Sequence, residues 1–254
     1  MTNGFQFQQF YVRHDRCAMK VGTDGVLLGA LAIGGKKVLD IGTGTGLCAL
    51  MLAQRYPDAI ITAIDIDEDA CSQAVENVAE SPFNGRIEVV HTSLEDYAET
   101  ADSQYDAIIS NPPYFEEELA CPDSQRDKAR HTTSLPFSSL IECSKSLLAD
   151  DGILTLILPA TALSRIEAEC AYASMFITRK IFICTTENKA PKRIVLYIRK
   201  HPSPVESERQ VLMVKEVQHS MFNVQCSMTQ RRSPWYEALT ETFYLPHSPS
   251  GERA

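Results

Sequence analysis

The chain has 254 residues, of which 44% are hydrophobic and 22% charged, a composition typical of a globular protein with a large buried core. No apolar run reaches the roughly 20 residues that a membrane-spanning helix needs, and the N-terminal segment lacks the apolar stretch of a signal peptide, so we expect a cytoplasmic protein. The formal net charge of -9 disfavours nonspecific binding to nucleic acid, and a nucleic-acid substrate would therefore need a local basic patch.

The eight cysteines are scattered along the chain, with no CxxC pair and no Cys/His spacing suited to zinc. Most of them lie among apolar neighbours in the sequence. We expect small core residues or free thiols, and neither a disulfide framework nor a metal site.

From Lys36 onward, short runs rich in β-branched residues alternate with helical patterns, as in a parallel sheet with crossover helices. The predicted strands cover residues 37–41, 59–65, 86–91, 105–110 and 152–159. The predicted helices cover residues 46–56, 67–80 and 137–150, and Asp67 is the expected N-cap of the second.

After Pro159 the pattern predicts a helix over 161–174 and two strands over 177–184 and 193–200. The segment TTENKAPK between these strands is too short for a crossover helix, so we expect an antiparallel hairpin. Residues 201–254 contain the apolar run RQVLMVKEV, the helix-like SPWYEALTETFYL and the tail PHSPSGERA, which we expect to be frayed. One domain is the simplest division, with an N-terminal extension (1–35), a core (36–200) and a C-terminal extension (201–254).

The turn between the first strand and the first helix contains Gly42, Gly44 and Gly46. Glycines there allow a tight turn and let a ligand approach the backbone beside the positive end of a helix. Asp65 follows Gly46 by nineteen residues, at the end of the second strand, where a carboxylate can accept hydrogen bonds from ribose hydroxyls. Dinucleotides and S-adenosylmethionine both fit such a site, but the spacing is G-x-G-x-G and Asp40 would repel a pyrophosphate.

These residues resemble the cofactor motif of class I S-adenosylmethionine-dependent methyltransferases. The resemblance implies an α/β, Rossmann-like fold with a seven-stranded, mostly parallel sheet, a terminal antiparallel hairpin and helices on both faces. It also implies S-adenosyl-L-methionine as cofactor, with Asp40 at the methionine end and Asp65 with Ile66 at the ribose. The family carries an acidic residue after the third strand, where this chain has Ser93 and Leu94, with Glu95 and Asp96 as alternatives.

The segment Asn111-Pro112-Pro113-Tyr114 directly follows the fourth strand, at the sheet edge where open α/β folds bind ligands. An exocyclic amine with a delocalised lone pair is a poor nucleophile. Two acceptors, the Asn111 side-chain oxygen and the Pro112 carbonyl, would hold its two N–H groups and direct the lone pair at the methyl carbon. Proline stiffens the loop, and Tyr114 offers a face for stacking. The motif resembles the [DNS]-PP-[YFW] signature of methyltransferases acting on adenine N6, cytosine N4 or glutamine amides.

Residues 5–32, FQFQQFYVRHDRCAMKVGTDGVLLGALA, resemble the N-terminal segment of bacterial tRNA(Val) adenine N6-methyltransferases, which modify adenine 37 beside the anticodon. The likeness continues through QRDKARHTTSL and, weakly, to WYEALTETFYL. It implies that the anticodon loop of tRNA(Val) is the substrate. We also expect a monomer with no membrane partner and no metal, because the positive charge on sulfur already activates the leaving thioether. Residues near the methionine end of the cofactor would then be Lys20, Thr23 and Asp24, although Thr23-Asp24-Gly25 is also a plausible helix-capping turn. Residues contacting the RNA would be Tyr114, Phe115, Arg126, Arg130 and His131.

Three other readings remain open. A glutamine N5-methyltransferase acting on release factors shares the NPPY motif, but only 41 residues precede Gly42, too few for the helical domain usual in that family. A DNA adenine N6-methyltransferase would usually add a target-recognition domain. A noncatalytic binding module would have no use for the paired acceptors at Asn111 and Pro112.

Overall fold

A computed structural model describes residues 4–17, 20–102, 104–113, 135–219 and 226–245. Its strands are β1 Gly4–Gln6, β2 Tyr11–Arg13, β3 Lys37–Ile41, β4 Ile60–Asp65, β5 Ile87–His91, β6 Tyr105–Ser110, β7 Leu148–Pro159, β8 Phe176–Cys184, β9 Arg193–Arg199, β10 Glu206–Val211, β11 Met213–His219 and β12 Cys226–Arg232. Its helices are α1 Thr23–Leu31, α2 Leu47–Arg55, α3 Glu68–Ala79, α4 Leu94–Thr100, α5 Phe137–Leu147, α6 Leu163–Tyr172 and α7 Pro234–Thr240, with a short 3₁₀ turn at Ala160–Ala162.

The central sheet has the strand order β10-β8-β9-β7-β6-β3-β4-β5. Every neighbouring pair is parallel except those involving β9, which runs antiparallel to both β7 and β8. The Rossmann-like fold, the seven expected strands and the terminal antiparallel hairpin are therefore confirmed. Strand β10 adds an eighth at the edge, in a segment where the sequence indicated only an apolar run.

Helices cover both faces of this sheet, as the sequence predicted. One apolar core contains side chains of α1, α2 and α7, and the other contains side chains of α4, α5 and α6. The predicted cap is also present, because the Asp67 carboxylate accepts hydrogen bonds from the backbone N–H groups of Asp69 and Ala70. The helix predicted over 137–150 ends earlier, at Leu147, because Leu148 already pairs with Tyr105 as the first residue of β7.

The N-terminal segment forms a hairpin of β1 and β2 that the sequence did not predict. Its connecting residues Phe7 and Phe10 are buried in the core on the α1 and α2 side of the sheet. The backbone N–H of Gln8 donates to the carbonyl of Phe243 at 2.8 Å, and the Gln8 side chain donates to the carbonyls of Glu241 and Tyr244. The first and last described segments are thereby held together. The predicted frayed tail after residue 245 lies outside the described residues.

The described residues contain no helix with the length and apolar character of a membrane span. Nor do they contain a group of His, Cys, Asp and Glu side chains that could hold a metal ion.

Candidate active site

The loop from β3 to α2 requires glycine at three positions. Gly42, Gly44 and Gly46 have φ angles of 68°, 55° and 80°, in the left-handed region that side chains disfavour. A Cβ at Gly42 or Gly44 would point into open space, so these two glycines leave the backbone accessible to a ligand. The loop is tied to the sheet by the N–H groups of Gly42 and Thr43, which both donate to the carbonyl of Ile64. The predicted glycine loop is thus held against the sheet and open on one side.

The carboxylate of Asp65, at the end of β4, lies against this loop. Its Oδ2 accepts a hydrogen bond from the N–H of Gly44 at 2.8 Å, and its Oδ1 accepts one from the N–H of Asp67 at 3.0 Å. Each carboxylate oxygen can accept a further hydrogen bond, so the group remains able to bind a diol. The neighbouring Ile66 is 55% exposed and offers an apolar surface beside that carboxylate. The arrangement suits a ribose followed by a planar base.

Asp40, in β3 just before the glycine loop, is an ionisable residue that is almost fully buried, at 2% exposure. The hydroxyl of Thr43 donates to its Oδ2 at 2.7 Å. Burial raises the pKa of Asp40 from 3.8 to about 7, the Thr43 hydrogen bond lowers it, and the charge of Asp65 raises it further. A cation placed beside Asp40 would favour the ionised form, so this carboxyl is suited to a positively charged ligand.

A cavity of about 490 Å³ opens beside the glycine loop. It brings together seven of the residues predicted from the sequence, namely Lys20, Thr23, Asp24, Asp40, Gly42, Gly44 and Asn111. Thr23 and Asp24 form the first turn of α1, where Gly22 is the N-cap and no side chain caps the helix. The capping interpretation of this turn was therefore wrong in its detail, although the helix does begin there.

Ser93 and Leu94 have structural roles in the described molecule. The Ser93 hydroxyl caps α4, accepting from the N–H of Asp96 at 3.0 Å and donating to the Asp96 carboxylate at 2.7 Å. Leu94 is buried in the core. Their assignment to the cofactor's adenine stays a prediction, and Asp96 competes for the Ser93 hydroxyl.

The cavity wall also contains two cations, Lys192 and Arg193, which the sequence marks only as part of a basic stretch before a late strand and does not assign to the site. Arg193 opens β9, and because β9 is antiparallel, this end pairs with Pro159 at the carboxyl edge of the sheet. The Arg193 Nε donates to the Asp24 Oδ2 at 2.7 Å, which joins β9 to α1 across the cavity. The predicted hairpin was the available signal, since it implies that the residues before its second strand reach this edge.

Asn111 follows β6 directly and lines the same cavity. The preceding Ser110 is fully buried, and its hydroxyl donates to the carbonyl of Ile41 at 2.9 Å, which fixes the end of β6 against the end of β3. Pro112 is buried and Pro113 is exposed. The other predicted site residues, Tyr114, Phe115, Arg126, Arg130 and His131, lie outside the described residues.

Comparison with known proteins agrees with this geometry. Residues 20–162 match the family model described as "Methyltransferase small domain". A relative from Parabacteroides distasonis, named tRNA1(Val) (adenine(37)-N6)-methyltransferase, is 43% identical over 243 residues, covering 95% of this chain and 97% of the relative. One from Bacteroides thetaiotaomicron with the same name is 49% identical over 195 residues, covering 76% of this chain and 81% of the relative.

The chain belongs to the tRNA1(Val) (adenine(37)-N6)-methyltransferase family. It is therefore a methyltransferase, as the sequence motifs indicated. Solved structures support the fold of this family member. A protein described as a predicted O-methyltransferase from Agrobacterium tumefaciens superposes with a TM-score of 0.62 at 17% identity, over 87% of this chain and 96% of that one. P. horikoshii TYW2 in complex with MeSAdo superposes with a TM-score of 0.54 at 15% identity, over 78% and 71%.

Proposed function

We propose that this methyltransferase moves a methyl group from S-adenosylmethionine to the N6 amino group of adenine 37 in the anticodon loop of tRNA1(Val). The observation that carries the proposal is that Asn111 and the glycine loop line one cavity. An amino-group acceptor and a nucleotide-binding loop are therefore close enough to serve one reaction. Relatives that cover nearly the whole chain carry the same activity in their names.

The residues present fit S-adenosylmethionine. Gly42 and Gly44 leave the backbone open, Asp65 can accept from a ribose, and Asp40 is poised to ionise beside a cation. The Asp24–Arg193 pair offers one group of each sign for the amino-acid end of the ligand. When bound, this cofactor supplies a methyl carbon made electrophilic by the positive charge on sulfur.

The role proposed for Asn111 is to orient the target amine. Its side-chain oxygen and the carbonyl of Pro112 accept the two N–H bonds, which directs the nitrogen lone pair into the cavity. The Ser110 hydrogen bond to Ile41 keeps this segment in register with the glycine loop. Tyr114 is proposed to stack on the flipped base, whose extrusion from a single-stranded loop costs only unstacking.

The cavity rim supplies the local positive charge that an acidic protein needs in order to bind RNA. Lys20, Lys192 and Arg193 line it, and both lysines are exposed. Such cations can meet the phosphates on either side of the target nucleotide. We further propose that the enzyme is a cytoplasmic monomer and that residues 1–254 form one domain.

The proposal is tested by incubating the protein and labelled S-adenosylmethionine with tRNA1(Val), and separately with a transcript carrying guanine at position 37. Label is expected only in the first. Release factor and plasmid DNA are included in parallel reactions, because label confined to either of them would replace the proposed substrate. Asn111→Ala is expected to abolish turnover while the dissociation constant for the cofactor stays within a few-fold. Near-full activity of this variant would refute the role of Asn111.

A further inference from the structure

Two side-chain amides of α3, Gln73 and Asn77, are buried although polar. They are 0% and 1% exposed, respectively, and they lie four residues apart, on the same side of the helix. Buried amides are costly unless they are hydrogen-bonded, so their partners show what they do. Gln73 Nε2 donates to Glu76 of the same helix at 3.5 Å. The other partners lie in two segments distant in sequence, the glycine loop and residues 13–17, which we call the strap.

Asn77 makes three short hydrogen bonds. Its Oδ1 accepts from the N–H of Arg13 at 2.9 Å, and its Nδ2 donates to the carbonyl of Arg13 at 2.9 Å. The same Nδ2 donates to the carbonyl of Thr45 in the glycine loop at 2.8 Å. One side chain thus joins the backbone of the strap to the backbone of the glycine loop.

Gln73 extends this attachment by one turn of α3. Its Oε1 accepts from the N–H of Arg16 at 3.2 Å. Two ion pairs also join the strap to the α3 segment, Arg13 with Glu80 and Arg16 with Glu76. The side chains of both pairs are about half exposed. Exposed ion pairs contribute little to stability, so the buried amides are the main attachment of the strap.

The strap leads towards the cofactor site. The thiol of Cys17 has its pKa raised to about 11 by burial and by the nearby charges of Asp65 and Asp67. When the described chain resumes, Lys20 lines the cavity. On the other side of the loop, a Cβ at Gly46 would lie 3.4 Å from the Cβ of Ala74, so α3 packs directly on the loop.

We propose that Gln73 and Asn77 are positioning residues for the cofactor site, which hold the strap and the glycine loop as one unit against α3. This inference rests on the proposed use of S-adenosylmethionine. Helix α3 holds both the backbone of the glycine loop, which would receive the ligand, and the strap, which passes near Asp65. Loosening either attachment should therefore weaken cofactor binding before it affects the transfer step.

The test compares Asn77→Ala with Ser72→Ala, a control at an exposed position of the same helix. The loss of three buried hydrogen bonds at Asn77 is expected to raise the dissociation constant and the KM for S-adenosylmethionine by about tenfold. The kcat at saturating cofactor is expected to stay within about threefold, as for an effect on ground-state binding. Ser72→Ala should behave as wild type. A folded Asn77→Ala protein whose dissociation constant is within twofold of wild type would overturn the inference.

A second readout needs neither cofactor nor RNA. In the cofactor-free protein, trypsin should cleave after Arg13 and Arg16 faster in Asn77→Ala than in wild type or Ser72→Ala, because the released strap becomes accessible. Equal cleavage rates would contradict the attachment itself. This readout also separates the two proposals. If the wild-type protein binds no S-adenosylmethionine, the proposed function is refuted, but the attachment of the strap can still be measured by its rate of cleavage.

Gln73→Met provides a milder variant in case Asn77→Ala does not fold. It keeps the side-chain length and removes the acceptor for the Arg16 N–H. The same two readouts are expected to shift in the same direction, with cleavage after Arg16 affected most. Unchanged readouts in folded Gln73→Met, or failure of both variants to fold, would assign the amides to folding alone and overturn the positioning role.

Discussion

At the scale of single residues, Asp40 shows a conflict between stability and function. Its ordinary pKa of 3.8 is raised to about 7 in the folded protein, chiefly by burial. The folded state therefore binds more protons than the unfolded state between these two values. Its contribution to stability is fully present below pH 3.8 and is lost as the pH rises through about 7. A residue that costs stability at neutral pH is well explained by a cationic ligand beside it.

Asp40→Asn tests this account. Without cofactor, the melting temperature of the variant relative to wild type is expected to increase as the pH rises from 4 to 7, because the variant has no buried carboxylate to ionise. Above pH 8 the difference should become constant. Thermal unfolding across this range measures it, and a difference independent of pH would contradict the raised pKa.

Lys192 is an exposed cation of the cavity at which the proposed RNA binding can be tested. Lys192→Ala is expected to raise the KM for tRNA. It should also reduce the slope of log affinity against log salt concentration by about one, which corresponds to the loss of one phosphate contact. Lys37→Ala is a matched control, since Lys37 is exposed at the start of β3, the opposite edge of the sheet. Equal effects of the two substitutions would remove Lys192 from the RNA surface.

At the scale of elements, the residues that the β3–α2 loop can contain are restricted by its backbone conformation. Gly44 has room for a methyl group but has a φ of 55°, so Gly44→Ala is disfavoured by strain alone. We expect it to lower the free energy of unfolding by about 1–2 kcal/mol. Gly85→Ala is the control, because that turn glycine also has open space around it and lacks a positive φ. Denaturant unfolding measures the free energy of unfolding of both variants. Equal values for Gly44→Ala and Gly85→Ala would refute the backbone strain at Gly44.

At the scale of the whole molecule, the two ends of the described chain form one cluster of aromatic rings. Phe7 is fully buried, stacks on Phe10 with ring centroids 4.8 Å apart, and lies parallel to Tyr244 at 6.0 Å. These contacts join the N-terminal hairpin to the segment after α7. The extensions assigned from the sequence therefore pack on the core and on each other.

Phe7→Ala should destabilise the protein by about 3–5 kcal/mol, as expected for a large ring removed from a core. A double-mutant cycle with Tyr244→Ala should give a coupling of about 0.5–1.5 kcal/mol. Tyr172→Ala, at an 82% exposed ring, is the control and should change stability by less than about 0.5 kcal/mol. Additive effects of the Phe7 and Tyr244 substitutions would show that these two rings are not energetically coupled.

The sequence by itself determined the features that depend on local patterns of residues. Alternating β-branched runs and helical periods predicted the order of strands and helices from β3 to β9, except for the short helix α4, which was not predicted. The spacing from Gly42 to Asp65 indicated a nucleotide site, and Asn111-Pro112 indicated an amine substrate. Each of these signals depends on neighbouring residues, whose backbone preferences act over a few positions.

Only the tertiary structure decided which distant residues complete the site. Arg193 reaches Asp24 across 169 residues because β9 runs antiparallel at the carboxyl edge of the sheet. Asn77 reaches Arg13 and Thr45 because α3 packs between the strap and the glycine loop. Strand β10 was missed because it lies at the edge of the sheet with no buried residue, and the apolar run RQVLMVKEV overlaps only its last three residues. Such contacts depend on topology and on where a side chain points, and no local pattern encodes either.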